Sequence, residues 1–294
     1  MIITRVSMEA VFNNFRGDYE AGLLATKPMK DRIAMTVNSA AKEETYGWLG
    51  NYASMREWLG QKVLNNLVVS GFTIKNRTFE NTVTVPREDI EDDRIGVFSG
   101  AFKMLGQEVA LHPDELVFDL LRNGTHQPCY DGQHFFDTDH PVDPENANSA
   151  VVSNADMDSV GGVPGWVLLD TSKVIKPFIF QKRRDYSFIR KDRPGDDNVF
   201  FENEYIYGVE ARVNAGYGLW QLAYASDKEL DATRFAAARA AMMSLKAPTG
   251  KPLGITPDLL IVAPTFEDDA RKLLNLDTSH YKGALELVVC PWLS

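Results

Sequence analysis

The order of predicted elements indicates an α+β protein, and three features of the sequence carry that prediction. Residues 92–123 form one long amphipathic segment, with apolar side chains recurring every three or four positions. Just before it, residues 67–86 alternate apolar and polar side chains in the manner of a β-hairpin. After it, residues 166–289 alternate short apolar strands with helical segments.

An amphipathic helix is predicted over residues 7–24. Its apolar side chains, among them Phe15 and Tyr19, recur at helical spacing, and Ser7 is a suitable N-cap. The run from Thr26 to Pro28 ends it.

Residues 45–91 are predicted to form an extended arm. It opens with an aromatic, glycine-rich packing anchor and continues into the hairpin, whose tip is expected near Lys75–Arg77. The hairpin strands carry too few apolar side chains to form a core alone. We therefore expect the arm to pack against its own body or against another subunit.

The long helix is predicted to begin beside Asp92 and Asp93, where the helix dipole favours acidic side chains. Gly124 is the expected C-cap, and Pro113 predicts a kink. At a rise of 1.5 Å per residue the helix would be about 40–50 Å long.

The second half of the chain combines a loop with strands and helices. Residues 142–165 are predicted as a long polar loop. Predicted strands cover Trp166–Leu169, Pro177–Phe180, Tyr186–Arg190, Val199–Val213, Leu259–Val262 and Leu285–Val289, with a turn at Pro194–Asn198. Helices are predicted from the Ser226–Glu229 capping box to about Leu245, and after Thr265.

The composition excludes several classes of protein. The 294 residues carry a net charge of −10, which disfavours tight DNA binding. The basic cluster at 182–184 and 190–193 is predicted to be a solvated or subunit-contacting strand face. No run of eighteen apolar residues or signal peptide is present, so we expect neither a membrane span nor secretion. Cys129 and Cys290 are expected to be free thiols in a reducing cytoplasm.

The segment Asp131–Pro141 carries the densest chemistry and has two interpretations. Zinc uses histidine, cysteine and carboxylate ligands, and the candidates are His126, Cys129, His134, Asp137, Asp139 and His140. No CxxC or HxxxH pair supports that hypothesis. Alternatively the segment is a structural turn, with two buried phenylalanines and with acidic and histidine side chains holding the loop backbone. On the residues alone both interpretations stay open.

The chain as a whole resembles the major head subunits of Mu-like bacteriophages, the gpT family. The residues that carry the resemblance are Tyr46–Gly50, Met55–Trp58, Phe79-Glu80, Asp92-Asp93 with Gly96, Asp131–Gln133, Phe135–Asp137, His140-Pro141, Tyr207–Arg212 and Pro257–Pro264. Each piece is weak alone, and their order and spacing are together specific.

The resemblance implies the Hong Kong 97 phage capsid fold, with an N-terminal arm, a hairpin arm, a long spine helix, a peripheral domain and an axial domain. The expected divisions are 1–44 for the N-terminal arm and helix, 45–91 for the hairpin arm, 92–182 for the spine helix and peripheral domain, 183–280 for the axial domain and 281–294 for the C-terminal strand. In this context Asp131–Pro141 is expected to be the turn that leaves the spine helix, without metal, cofactor or catalysis.

The implied function is a major capsid protein that assembles as pentamers and hexamers into an icosahedral head around double-stranded DNA. The expected intersubunit contacts of the arm are Trp58, Phe72, Ile74, Arg77, Phe79 and Glu80. Expected partners are other copies, a separate scaffold or protease, a portal, and packaged DNA held weakly, with assembly in the host cytoplasm. The alternatives are an encapsulin-like nanocompartment shell and a metal-dependent hydrolase using residues 126–143.

Overall fold

A computed structural model describes residues 2–47, 49, 71–144, 146, 148–158, 161–275 and 285–293. The helices are α1 (Arg5–Ala25), α2 (Lys30–Ile33), α3 (Arg87–Glu91), α4 (Ser99–Arg122), α5 (Asp197–Glu202), α6 (Ala232–Met243) and α7 (Glu267–Asn275). The strands are β1 (Ala34–Asn38), β2 (Glu43–Thr45), β3 (Thr73–Lys75), β4 (Arg77–Pro86), β5 (His140–Pro141), β6 (Val151–Val152), β7 (Ala155–Asp156), β8 (Trp166–Leu169), β9 (Phe178–Lys191), β10 (Glu204–Tyr217), β11 (Ala223–Ser226), β12 (Leu259–Val262) and β13 (Glu286–Val289). Within these residues no helix is both long enough and apolar enough to cross a bilayer.

The larger structural unit is a four-stranded sheet in the order β1-β9-β10-β4. Its centre is the antiparallel pair β9 and β10, each of 14 residues, with β4 antiparallel and β1 parallel at the two edges. Helices α1 and α4 pack on this sheet through an aromatic cluster. Phe15 stacks on Phe102 with ring centroids 4.2 Å apart, and both contact Tyr207. The sheet and the two helices therefore share one core.

The second sheet has the order β13-β12-β8-β11-β7. The side chains of β8 and β12 are buried on both faces, as their unbroken apolar sequences predict. From the flanking helices, Phe235 of α6 and Ala270 of α7 are fully buried in the core that also joins the two sheets. The predictions for β8, β12 and the closing strand are confirmed.

Helix α1 begins two residues earlier than predicted, and its cap is Thr4. The Thr4 hydroxyl accepts a hydrogen bond from the backbone N–H of Ser7 at 3.1 Å, and the Ser7 hydroxyl accepts one from the N–H of Thr4 at 2.8 Å. Ser7 is therefore the third helical residue of a capping box, not the N-cap. The predicted end is confirmed, because α1 ends at Ala25.

The predicted pairing of the hairpin within 67–86 is wrong. No turn forms near Lys75–Arg77: β3 and β4 do not pair with each other, and only Asn76 separates them. Instead β3 pairs with β2, and β4 pairs along its whole length with β10. An extended segment can satisfy its backbone hydrogen bonds on any available strand edge, so alternation alone does not identify the partner.

Helix α4 is the long helix, but its start was predicted wrongly. Residues 92–98 form a turn and a short 3₁₀ helix, in which Asp93 has a positive φ of 59°. The helix runs without a break through Pro113 and spans 24 residues, or about 36 Å at the standard rise. Gly124 is needed for packing, since a Cβ there would lie 2.4 Å from the ring of Phe136.

Two further predictions in the second half are wrong. Residues 197–202, predicted within a turn and a strand, form helix α5. The capping box predicted at Ser226–Glu229 does not form: Ser226 ends β11, and α6 is capped by Asp231, whose carboxylate accepts from the N–H groups of Thr233 and Arg234.

The predicted loop 142–165 contains the short strands β6 and β7. The predicted domain boundary after residue 182 falls inside β9.

Candidate functional site

The segment after the spine helix is a tight turn closed by backbone hydrogen bonds. The N–H of Cys129 donates to the carbonyl of Gln133 at 2.8 Å, and Gly132 takes a φ of +89°, a conformation that glycine adopts without strain. The turn then places Phe135 and Phe136 in the core, at 0% and 3% exposure. The structural interpretation of Asp131–Pro141 agrees with this geometry.

Three chemically reactive side chains meet behind the turn. The thiol of Cys129 donates to one carboxylate oxygen of Asp131 at 3.0 Å, and Nδ1 of His140 lies 2.8 Å from the other. The side chains of Asp131 and His140 are fully buried, and the His140 ring stacks on Trp220 at 4.0 Å. These three residues are the one group of potential metal ligands that the described part of the chain brings together.

The cluster is a hydrogen-bonded brace. Asp131 also accepts from the N–H of Gln133 at 3.1 Å, so its carboxylate has three donors and is compensated for burial. Burial and the adjacent Asp131 raise the pKa of the Cys129 thiol, which favours the protonated donor over the thiolate that zinc requires. The hydrogen bonds satisfy the Asp131 carboxylate, whereas Nε2 of His140 is buried without a hydrogen-bond partner among the described residues.

The other predicted ligands do not join this cluster. Asp137 accepts hydrogen bonds from the N–H groups of His134 and Thr138, as a residue that holds a loop would. His126 and Asp139 are exposed. Sequence reasoning omitted Asp131 from the ligand candidates, although it is the hub. Its position two residues after Cys129 was the available signal.

A second site lies where the predicted arm joins the body. Strands β2 and β3 run antiparallel, and the N–H of Tyr46 donates to the carbonyl of Phe72 at 2.8 Å. The chain between them, most of it outside the described residues, therefore leaves and returns at the same place. We call this junction the arm base, defined by β2, β3, Tyr46 and Phe72.

Gln181 of β9 is the centre of the arm base. Its side-chain oxygen accepts from the Tyr46 hydroxyl at 2.8 Å, and its nitrogen donates to the carbonyl of Ile74 at 3.0 Å and to the side-chain oxygen of Asn76 at 2.8 Å. Burial raises the pKa of Tyr46 to about 12, so the hydroxyl stays a donor. Asn76 continues the network to the Ser39 hydroxyl at 2.8 Å. Both ends of the arm are thus fixed to β9.

The predicted contact residues of the arm occupy different environments. Ile74 is 3% exposed and packs against Gly216, where a Cβ would come within 2.3 Å of it. Phe72 and Phe79 are half-buried, and Arg77 and Glu80 are exposed. Trp58 lies outside the described residues.

An aromatic row connects the arm strand β4 to the spine helix. The guanidinium of Arg77 lies 5.1 Å from the ring centre of Phe79, and Phe79 meets His112 edge-on at 4.3 Å. Nδ1 of His112 lies 2.6 Å from the Tyr186 hydroxyl of β9. Burial lowers the pKa of His112, which keeps the ring neutral and able to accept from that hydroxyl.

Most of the basic cluster lies on β9, and neighbouring acids pair with three of its six cations. Lys182 pairs with Asp185 at 2.7 Å, and Arg190 pairs with Glu9 of α1 at 2.6 Å. Arg184 pairs with Glu210 at 3.0 Å, whereas Lys191 and Arg193 form no ion pair with another described residue.

The comparisons with known proteins agree over nearly the whole chain. The model of the family described as Mu-like prophage major head subunit gpT matches residues 8–293. The chain is 40% identical over 306 aligned positions to the "Major capsid protein" of Escherichia phage Mu, covering 100% of both. It is 37% identical to the "Mu-like prophage FluMu major head subunit" of Haemophilus influenzae, covering 93% of this chain and 90% of that protein.

Solved structures give the same result. The procapsid subunit of bacteriophage JBD30 superposes with a TM-score of 0.85 at 38% identity, covering 99% of this chain and 100% of that one. The JBD30 capsid subunit superposes with a TM-score of 0.78 at 30% identity, covering 92% and 93%.

Proposed function

The chain belongs to the Mu-like prophage major head subunit family and is the major capsid protein of a phage head, and we propose that its copies assemble as pentamers and hexamers into an icosahedral shell around double-stranded DNA. The observation that carries the function is the end-to-end match to a capsid protein at 40% identity. The protein is structural, as its relatives are.

The fold is the Hong Kong 97-like capsid fold. We propose a division that follows the sheets instead of the boundaries expected from sequence. The first sheet with α1 and α4 would be the peripheral domain, and the second sheet with α6 and α7 the axial domain. In support, each sheet keeps its strands together, whereas a boundary after residue 182 would cut β9.

We propose that the segment leaving the arm base contacts a neighbouring subunit. The buried network around Gln181 supports this role, because it fixes both ends of the segment so that force on the arm reaches the main sheet. Ile74 would anchor the arm in its own subunit. Phe72, Arg77, Phe79 and Glu80, which are less buried, would face the neighbour together with Trp58.

We also propose a scaffold or protease, a portal and packaged DNA as partners. A separate scaffold or protease and a portal would act during assembly in the host cytoplasm. The net charge of −10 supports only weak, non-specific contact with packaged DNA. An encapsulin-like shell is not favoured, since the relatives matched over their full length are phage head proteins. A metal-dependent hydrolase is not favoured either, since the family and the relatives matched are phage head proteins.

Expression of the chain followed by negative-stain microscopy tests the assembly. Closed shells, tubes or rings are expected, and a chain that stays monomeric at high concentration would contradict the proposed assembly.

The arm is tested by replacing residues 50–70 with a short Gly-Ser linker. Tyr46 and Phe72 are hydrogen-bonded to each other, so a short linker can connect the two ends of the arm. That variant should fold but not form closed shells. The control carries the same linker inserted after Gly250, in an exposed turn.

A further inference from the structure

Two phenylalanines project from the far end of the main sheet. Phe200 and Phe201 lie on α5, each 77% exposed, with ring centroids 4.9 Å apart and planes at 88°. We call this pair the Phe knob. Paired, exposed aromatic side chains are costly to keep in water, and they are typical of surfaces that another protein covers.

Buried contacts hold helix α5, and with it the Phe knob, against the end of the sheet. Helix α5 joins the end of β9 to the start of β10, and the side-chain amide of Asn198, 5% exposed, donates to the carbonyls of Lys191 at 3.0 Å and Glu204 at 2.7 Å. Val199 is buried beneath the helix, and Asn203 takes a left-handed φ of 55° that turns the chain back into the sheet. The fold therefore holds the phenylalanines outward in one position.

Charges of both signs flank the Phe knob. Lys191 and Arg193 are exposed before α5, and Asp197 and Glu202 are exposed within it. None of these four side chains forms an ion pair with another residue that the structure describes. A surface with a free cationic flank and a free acidic flank is complementary to itself, because a second copy can set its acidic flank against the first copy's cationic one.

We propose that the Phe knob is a contact between copies of this chain, with an apolar centre formed by Phe200 and Phe201 and a rim of ion pairs between the two flanks. The same patch serves on both copies, so the contact lies on a rotation axis that relates them. An apolar aromatic centre with charges at the rim is the usual composition of a protein interface. The inference rests on the shell assembly proposed above, and it identifies a contact separate from the arm.

The apolar centre is tested with the variant Phe200→Ser/Phe201→Ser. Its control is Val97→Ser/Val174→Ser, which removes two valines that are 69% and 93% exposed elsewhere on the surface. The Phe variant should keep the wild-type circular dichroism and thermal midpoint, while the fraction of chain in closed shells falls at least about tenfold. The control should assemble like wild type. Normal assembly of the Phe variant would overturn the inference, whereas failure of the wild-type chain to assemble would overturn the proposed function.

The identity of the partner is tested by reversing charges. Lys191→Glu/Arg193→Glu should lower shell formation, and adding Asp197→Lys/Glu202→Lys in the same chain should restore it, since both flanks then change together in every copy. Restoration supports a copy-to-copy contact. If the fourfold variant stays as defective as the double one, or if shells form normally and only the binding of a different head protein is lost, the second copy is not the partner.

Discussion

Helices α1 and α4 are in close backbone contact at Gly22 and Gly106, and the substitution Gly22→Ala tests how closely the two backbones pack. A Cβ on Gly22 would lie 2.0 Å from the carbonyl oxygen of Lys103, and one on Gly106 would lie 2.0 Å from the carbonyl oxygen of Tyr19. Both obstacles are backbone atoms, which cannot rotate away. Since real Cβ atoms essentially never approach closer than 3.0 Å, the helices would have to separate by about 1 Å, from the difference between 3.0 and 2.0 Å.

Gly17 provides the matched control, because it lies in the same helix, is exposed, and a Cβ added to it would meet nothing within 4 Å. Gly17→Ala should raise the free energy of unfolding by about 0.5–1 kcal/mol, through the better helix propensity of alanine. Gly22→Ala gains the same propensity but overpacks the crossing, and we expect a net loss of about 1–3 kcal/mol.

Urea titration of the unassembled chain, followed by tryptophan fluorescence and circular dichroism, measures both variants. The two substitutions should move the midpoint in opposite directions. If Gly22→Ala proves as stable as Gly17→Ala, the close crossing of α1 and α4 is wrong, and the N-terminal helix is not held against the spine helix as described.

Three further predictions concern buried polar groups and a helix cap. Gln181→Leu leaves several partners at the arm base unsatisfied and should lower the free energy of unfolding by about 2–4 kcal/mol, whereas Gln107→Leu on an exposed face should change it by less than about 0.5 kcal/mol; equal effects would contradict the network. Burial raises the pKa of both thiols, that of Cys290 to about 11, so neither Cys129 nor Cys290 should react with a disulfide reagent at neutral pH until urea unfolds the chain; rapid labelling of the native protein would refute their burial. Backbone hydrogen bonds from the start of α6 lower the pKa of Asp231. The stabilisation that the ionised Asp231 gives to the folded state is therefore present above the ordinary carboxyl pKa, and it is lost as the pH falls through the lower pKa of the folded state. Thermal scans should show Asp231→Ala destabilising most at neutral pH and progressively less in acid, and a pH-independent difference would exclude this cap.

Local patterns predicted much of the fold. The period of α1 and α4, the unbroken apolar runs of β8 and β12, and the Asp131-Gly132 turn were each visible because neighbouring residues in the sequence decide them. Phe135 and Phe136 were expected in the core for the same reason. These features depend on which face of an element is apolar, and a sequence records that directly.

The sequence did not show which strand or helix packs against each element, because that depends on contacts between residues far apart in the chain. Strand β4 could have paired with β3, but it lies on β10, more than a hundred residues later, because an extended edge is satisfied by any strand that packing brings beside it. The brace of Cys129, Asp131 and His140 formed for a similar reason, since the turn and β5 bring together groups that a list of ligand types does not distinguish from His126 or Asp139. The sequence by itself determined the amphipathic faces of α1 and α4, the buried strands β8 and β12 and, through its resemblance, the family. The tertiary structure decided which buried polar groups find hydrogen-bond partners within the subunit. It also decided which apolar side chains, such as those of the Phe knob, remain exposed on its surface.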